Sequence, residues 1–277
     1  MKTCDLHCHS TFSDGTFTPG EIISLAEKQG LSAVALTDHN TTKGLSEFLE
    51  AGKNSSVETI TGCEFSTDWE NHELHIVGLF LDEGIWKEVD DYVELLNLAK
   101  RNSNEKLIQN LRNAGYEITY EGVAASTDAN EFNRAHVAKI LVQKGYADTI
   151  DDAFKNILSE KHGYYVPPKR LNSLSTIRFI KFHGGVAVLA HAFLNLNYEE
   201  LEEFLPVAKE AGLDAMETNY SKFSEEETRL AKELAKRFDL KESGGSDFHG
   251  TVKPDIQLGS GLGNLKVPFD FLEKLRK

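Results

Sequence analysis

The sequence predicts an α/β protein, a barrel of parallel strands interrupted by a helical insert. Short apolar strand patterns alternate with helical patterns in both end regions of the 277-residue chain. Repeated strand-then-helix units are typical of a parallel barrel or a doubly wound sheet. Between these regions, the chain is mostly helical and charged, without a strong buried-strand pattern. We therefore expect a barrel over 1–85 and 171–277, with 86–170 as the inserted helical subdomain.

Strand and helix patterns can be placed in order before the insert. Residues 1–10 alternate polar and apolar side chains, as a first strand would. Thr18-Pro19 opens a helix over 19–29, with Gly30 just after its end. Residues 31–40 form an apolar run that stops at polar residues, as in a strand buried on both faces. The remaining elements here are a helix over 44–52 and strands over 57–66 and 73–81.

The same alternation returns after the insert, whose own helices are expected to end at Gly115, Gly145 and Gly163. One helix begins with a capping-box pattern, in which Ser224 precedes Glu227 by three residues. The predicted elements are strands over 184–191, 212–220 and 240–250, and helices over 198–211, 224–238 and 269–277.

Composition excludes several classes of function. The formal net charge is −14, from 30 basic and 44 acidic residues. Such an acidic chain argues against binding long nucleic acid, but bound divalent cations would still allow a small phosphorylated substrate. No apolar run reaches the roughly 20 residues of a membrane span, and the N-terminus lacks a signal-peptide core. With only three cysteines, we expect a cytoplasmic protein without a disulfide framework.

Histidines and carboxylates are concentrated where the predicted strands end. The carboxyl ends of barrel strands meet at one face, so these side chains should converge. Spacing of i, i+2 puts His7 and His9 on one side of their strand, and Asp247 and His249 on one side of theirs. The other members of this set are Asp14, His39, Glu64, His75 and His191.

Mixed imidazole and carboxylate ligands suit Mn, Fe or Zn. Nine such groups exceed the needs of one ion and predict two or three divalent metals acting together on a phosphoester. A metal-bound hydroxide would attack phosphorus, and the other ions would neutralise the phosphate oxygens. His72 and His183 lack this placement, and we interpret them as surface or structural residues.

These motifs together resemble the polymerase and histidinol phosphatase (PHP) superfamily. The matching segments are Asp5–Ser10 with Ser13–Gly15, Leu36–His39, Gly62–Glu64, Leu74–Gly78, Ala190–His191 and Gly245–His249. The resemblance implies a distorted (β/α)7 TIM-like barrel with a two- or three-metal centre. It implies ligand roles for all nine side chains named above. It also implies that Asp5 and Asp38 orient imidazoles from behind.

Within the superfamily, the chain looks most like stand-alone phosphoesterases with a helical insert. Such members remove the 3′-phosphate of nucleoside 3′,5′-bisphosphates or trim short RNA from its 5′ end. By this resemblance Arg134 and Lys161 of the insert would bind substrate phosphate, with Thr41 as a further substrate-binding candidate. Lys169 and Arg170 are weaker candidates.

Two segments depart from the pattern of these relatives. Asn40 stands where they usually carry Asp, and Leu194 stands where many carry Arg. Neither change removes a predicted ligand. The second removes a side chain that could help to hold a nucleotide.

The leading hypothesis is hydrolysis of a phosphomonoester on a small metabolite, with a nucleoside 3′,5′-bisphosphate as the first choice. His191 and His249 are candidates for protonating the leaving oxygen, and Asp247 belongs with them in the catalytic set. The alternatives are a histidinol-phosphate phosphatase and a 5′ exonuclease on short RNA. A non-catalytic, metal-binding regulatory module is the alternative outside the enzymes.

Overall fold

The computed structural model describes residues 2–70, 72–127, 132–168 and 170–276. Its contacts divide the chain into two compact units, Met1–Tyr92 with Arg170–Lys277, and Val93–Lys169. The smaller unit begins seven residues later than the insert predicted over 86–170 and ends one residue earlier. The Tyr92 ring stacks on Phe179 with centroids 4.1 Å apart, which joins the residues just before it to the larger unit.

The larger unit is built on one nine-stranded sheet. Its strands are β1 (Thr3–Asp5), β2 (Ala33–Leu36), β3 (Glu58–Trp69), β4 (His72–Leu79), β5 (Leu171–Asn172), β6 (Val186–Ala190), β7 (Ala215–Tyr220), β8 (Lys241–Gly245) and β9 (Val267–Pro268). They follow the order β8-β7-β6-β4-β3-β2-β1-β9, and β5 pairs with β3.

Seven of these strands nearly close into a barrel, because β8 returns to β1. Leu6 N–H donates to Gly244 O at 3.2 Å, and Asp247 N–H donates to His7 O at 2.8 Å. Gly245 permits this approach, since a Cβ atom there would overlap His7. The mixed α/β barrel agrees with the TIM-like fold that the sequence predicts.

The expectation that all strands run parallel is wrong for β4. This strand is antiparallel to both β3 and β6, and Ser66 of β3 pairs with His75. Only two residues separate β3 from β4. A parallel crossover needs a dozen or more residues, so the chain can only turn back as a hairpin. The early part of β4 therefore lies at the carboxyl end of β3.

Helices surround the sheet and build the smaller unit. They are α1 (Pro19–Gln29), α2 (Leu45–Gly52), α3 (Trp86–Asn113), α4 (Tyr120–Ala124), α5 (Arg134–Gln143), α6 (Ile150–Ala153), α7 (Ser173–Phe182), α8 (Tyr198–Ala211), α9 (Glu225–Arg237) and α10 (Phe269–Leu275). The predicted capping box is confirmed at α9, where Glu227 N–H donates to Ser224 Oγ at 3.1 Å. No helix in the described ranges is long and apolar enough to cross a bilayer.

Each unit has its own apolar core. In the larger unit, side chains of the barrel strands, such as Ala33, Val77 and Val188, form a buried cluster with Leu272 of α10. In the smaller unit, α3 to α6 bury a separate cluster that includes Leu107 and other aliphatic and aromatic side chains. This apolar core supports the barrel strands from within, so the strand ends at one face of the barrel are free to carry polar groups.

Candidate metal centre

Glu64 of β3 lies at the centre of the predicted ligands. Its side chain is fully buried. The Glu64 Oε2 atom lies 3.1 Å from His7 Nε2, 3.2 Å from His9 Nε2 and 3.0 Å from His39 Nδ1. Its other oxygen, Oε1, lies 2.7 Å from His75 Nδ1 and 2.9 Å from His191 Nε2. One carboxylate therefore contacts five imidazoles from four separate segments of the chain.

Asp247 and Asp14 extend this cluster on one side. The Asp247 Oδ1 atom lies 3.3 Å from both His9 Nε2 and His249 Nδ1. The Asp14 Oδ1 atom lies 3.2 Å from His249 Nε2 and 3.9 Å from His9 Nδ1. The structure thus brings all nine predicted ligands into one connected cluster. The antiparallel direction of β4 explains how His75, near the start of its strand, joins side chains from the ends of others.

Among the residues that the structure describes, Asp5 and Asp38 bind backbone and hydroxyl groups rather than imidazoles, in contrast to the role that the family resemblance implies. Asp5 accepts the N–H groups of Ser246 at 2.9 Å and Gly259 at 2.7 Å. Asp38 accepts the Ser10 N–H at 2.8 Å and both the Ser10 and Ser13 hydroxyls at 2.6 Å. Irregular buried segments leave N–H groups unpaired, and a carboxylate oxygen satisfies them. These two aspartates therefore hold the loops that carry Asp247 and Asp14.

Asn40 also acts on the backbone beside the ligands. It has a positive φ of 50°, a conformation that asparagine tolerates better than most residues. Asn40 N–H donates to Glu64 O at 2.9 Å, and its side chain exchanges two 3.0 Å hydrogen bonds with Ser66. Asn40 therefore serves to hold β3 next to His39.

The predicted substrate-binding residues occupy different surroundings. Thr41 is buried, and its hydroxyl accepts the Lys43 N–H at 3.2 Å. In the smaller unit, the Arg134 guanidinium lies 4.0 Å from the Tyr165 ring centroid, and Lys161 is exposed in a short 3-10 turn. Their roles in substrate binding stay predictions. Lys169 lies outside the described residues.

Arg170 belongs to the larger unit and contacts the cluster indirectly. Its Nη2 donates to Glu73 Oε2 at 2.6 Å. The other oxygen of Glu73 lies 3.2 Å from His75 Nε2. The Glu73 carboxylate therefore links the Arg170 guanidinium to the predicted ligand His75.

Three residues at the cluster were missed at the level of sequence. Tyr220 Oη and Lys253 Nζ both donate to Asp247 Oδ2 at 2.8 Å. Glu217 Oε1 lies 2.8 Å from His7 Nδ1. A signal existed for Glu217, which is the only carboxylate between Ala215 and Tyr220 in a buried strand. No local pattern marks Lys253.

Burial and mutual charge set the protonation of these groups. Burial raises the pKa of Glu64, but the opposite effect of the His39, His7 and His75 imidazoles is larger. The pKa of Glu64 is therefore well below its ordinary value. The pKa of Asp247 is likewise raised by burial, and lowered to a greater extent by Lys253 and His249. Burial, together with His249 and His39, lowers the pKa of His9 to about 4. Glu64 and Asp247 are therefore ionised and His9 is neutral near pH 7, as metal ligands must be. His75 differs, because despite burial Glu64 raises the pKa of its imidazole to about 10, so a metal must displace a proton there.

The cluster fits divalent metal ions by two tests. Several buried atoms have no hydrogen-bond partner of good geometry among the described residues, namely His7 Nε2, both ring nitrogens of His9, His39 Nδ1, Glu64 Oε2 and His191 Nδ1. In addition, ligand atoms gather within 4.8 Å of one another in three groups. These are His9, Asp14, His39 and His249; His7, His9 and Glu64; and His39, Glu64 and His75. Imidazole with carboxylate is the donor set of Zn, Mn and Fe sites.

Known proteins are similar to this chain in sequence and in fold. The PHP domain family matches residues 5–167. A 5′-3′ exoribonuclease of Haemophilus influenzae is 35% identical over 252 residues, which cover 90% of both chains. A 3′,5′-nucleoside bisphosphate phosphatase of Chromobacterium violaceum is 28% identical over 90% of this chain and 88% of its own. The crystal structure of a proposed metal-dependent phosphoesterase from Bifidobacterium adolescentis superposes with a TM-score of 0.84 at 29% identity, covering 99% of this chain and 95% of its own.

Proposed function

Because the chain belongs to the PHP domain family and is a metal-dependent phosphoesterase, we propose that it hydrolyses the phosphate ester on the 3′ oxygen of a 5′-phosphorylated nucleotide. The smallest such substrate is a nucleoside 3′,5′-bisphosphate. Its hydrolysis releases inorganic phosphate and leaves a nucleoside 5′-phosphate with a free 3′ hydroxyl. The Chromobacterium violaceum relative supports this choice.

The observation that carries the proposal is the buried cluster around Glu64, in which six imidazoles and three carboxylates meet. Divalent ions held by these side chains would supply Lewis acidity for a water molecule and positive charge for the phosphate oxygens. We propose two or three ions, since the three ligand groups share His9, His39 and Glu64.

His249 and His191 fit different roles in this proposal. His249 Nδ1 donates to Asp247 O at 2.8 Å, which leaves its Nε2 lone pair for a metal. His191 Nδ1 is buried without a hydrogen-bond partner among the described residues. We therefore favour His191 as the group that hands a proton to the leaving 3′ oxygen.

Lys253 supplies a positive charge for the phosphate. Its side chain is 29% exposed, and its Nζ lies 2.8 Å from Asp247 Oδ2, beside the cluster but reachable from solvent. An ammonium group is a natural partner for phosphate oxygens. Lys253 therefore offers one way for an acidic chain to hold an anionic substrate at this place.

A second candidate function is the removal of 5′-terminal nucleotides from short RNA. The Haemophilus influenzae relative, a 5′-3′ exoribonuclease, has the higher identity of the two, 35% against 28%. The bond cleaved would again be an ester at a 3′ oxygen, so the same cluster would serve. The net charge of −14 favours short over long RNA.

The test compares two substrates in the presence of Mn²⁺, with the products identified. Adenosine 3′,5′-bisphosphate is expected to yield phosphate and AMP, and a 5′-phosphorylated RNA trimer tests the second candidate. His9→Ala should abolish turnover, whereas His72→Ala should retain it, because His72 is 38% exposed and lies outside the cluster. Metal-loaded protein that cleaves neither substrate would refute both candidates.

A further inference from the structure

Glu217 on β7 connects two predicted ligands that are far apart in sequence. Its side chain is buried, with 2% exposed. Oε1 lies 2.8 Å from His7 Nδ1, and Oε2 accepts the backbone N–H of His191 at 2.7 Å. Among the described residues, no lysine or arginine forms an ion pair with it. We infer that Glu217 is a positioning residue that presents His7 to the metals and fixes the backbone turn that places His191 beside Glu64.

The contact with His7 selects which ring nitrogen can bind a metal. Because a carboxylate only accepts hydrogen bonds, His7 Nδ1 must carry a proton and donate it. The lone pair of a neutral His7 then resides on Nε2. That atom lies 3.1 Å from Glu64 Oε2 and belongs to the ligand group of His7, His9 and Glu64. Carboxylate partners orient metal-binding imidazoles in this way in many metalloproteins.

The contact with His191 stabilises an unusual backbone conformation. His191 has φ 27° and ψ 47°, in the left-handed region that non-glycine residues seldom occupy. The bond from its N–H to Glu217 Oε2 holds this turn directly after β6. In this conformation His191 Nε2 lies 2.9 Å from Glu64 Oε1. A single carboxylate thereby sets the ring of one ligand and the backbone of another.

The substitution Glu217→Gln separates this role from simple packing. Glutamine has the same shape, but it offers one acceptor and one donor where two donors must be met. The backbone N–H of His191 can only donate, so the amide oxygen is expected to turn toward it. The amide NH₂ then faces His7 Nδ1, which has to accept. The ring proton moves to His7 Nε2, and this nitrogen is lost to the metal.

The experiment measures metal binding in the full-length protein. Zinc affinity and stoichiometry are determined by competition with a chelator for the wild type, for E217Q and for E242Q. Glu242 on the adjacent β8 accepts from Thr218 Oγ1 at 2.9 Å and serves as the matched control. We expect E217Q to weaken at least one zinc site by about 10–100-fold, the range seen when such outer partners are lost. E242Q should bind as the wild type does.

Nitrogen-15 NMR of the zinc-loaded proteins tests the tautomer itself. His7 should be zinc-bound through Nε2 with a protonated Nδ1 in the wild type, and should lose that pattern in E217Q. Wild-type zinc affinity and an unchanged His7 spectrum in E217Q would overturn the inference.

Should E217Q fold poorly, the NMR spectrum of the zinc-loaded wild type decides by itself, because zinc bound to His7 through Nδ1 would overturn the inference. Where E217Q folds, the pair H7A and H7A/E217Q gives a further test. In the H7A background, E217Q should have much less effect on zinc affinity than it has alone, whereas full additivity would overturn the role through His7. The inference rests on the metal centre and not on the substrate. Failure of nucleotide hydrolysis would therefore leave it standing.

Discussion

Replacing Lys253 with methionine tests whether a positive charge beside the cluster holds the substrate. The ammonium group donates to Asp247 Oδ2 at 2.8 Å, and the side chain is 29% exposed. A hydrogen bond between charged groups contributes about 1.5–3 kcal/mol, and every 1.4 kcal/mol is about tenfold. Loss of the ammonium should therefore reduce kcat/KM for adenosine 3′,5′-bisphosphate by roughly 10–100-fold.

The assay is phosphate release at saturating Mn²⁺, with metal content measured in the same samples. Lys253→Arg keeps the charge and should retain more activity than Lys253→Met. Lys266→Met is the control, because Lys266 is an exposed lysine directly before β9. If K253M keeps the wild-type kcat/KM while binding the same metal, Lys253 serves only to balance Asp247, and the proposed phosphate contact is wrong.

Three further predictions concern the metals and the thiols. Burial lowers the pKa of His75, but Glu64 has the larger effect and raises this pKa to about 10. In the metal-free protein the His75 imidazole is therefore protonated near pH 7. Metal binding should release protons and strengthen as pH rises, which calorimetry in buffers of different ionisation enthalpy detects; proton-free binding would contradict this. Metal at 100 times its Kd should add about 2.7 kcal/mol of stability and raise the Tm by roughly 5–10 °C, measured by thermal unfolding. A Tm independent of bound metal would place the site outside the folded core. Burial raises the pKa of the Cys4, Cys8 and Cys63 thiols, so none should react with a thiol reagent at pH 7 until the protein unfolds. Rapid labelling of the native protein would show that this core opens.

Local patterns were sufficient for much of the fold. The helix predicted over 19–29 is α1 with those bounds, because Thr18 and Glu21 form a capping box and Gly30 ends the helix in the left-handed conformation. Such signals act within a few residues, and they keep their meaning in any tertiary setting. The strands predicted over 57–66 and 73–81 leave only residues 67–72 between them, which is also too short for a parallel crossover, but the prediction of parallel strands overlooked this.

The ligand positions were open to prediction for a related reason. Strand ends can be read from apolar runs, and parallel strands bring their carboxyl ends to one face. His7, His39 and Asp247 are each marked by their own short segment. Their convergence in one cluster then follows from the barrel, without knowledge of any single contact.

The partners behind the ligands were decided by the tertiary structure alone. Sequence reasoning assigned the orientation of imidazoles to Asp5 and Asp38, whereas His7 is held by Glu217, 210 residues away along the chain. Lys253 reaches Asp247 only because the loop after β8 turns back on itself. A carboxylate pairs with whichever donor lies within about 3 Å, and neighbours at that distance depend on how loops and strands pack. The sequence by itself determined which chemical groups stand at the strand ends, and packing decided which of them touch.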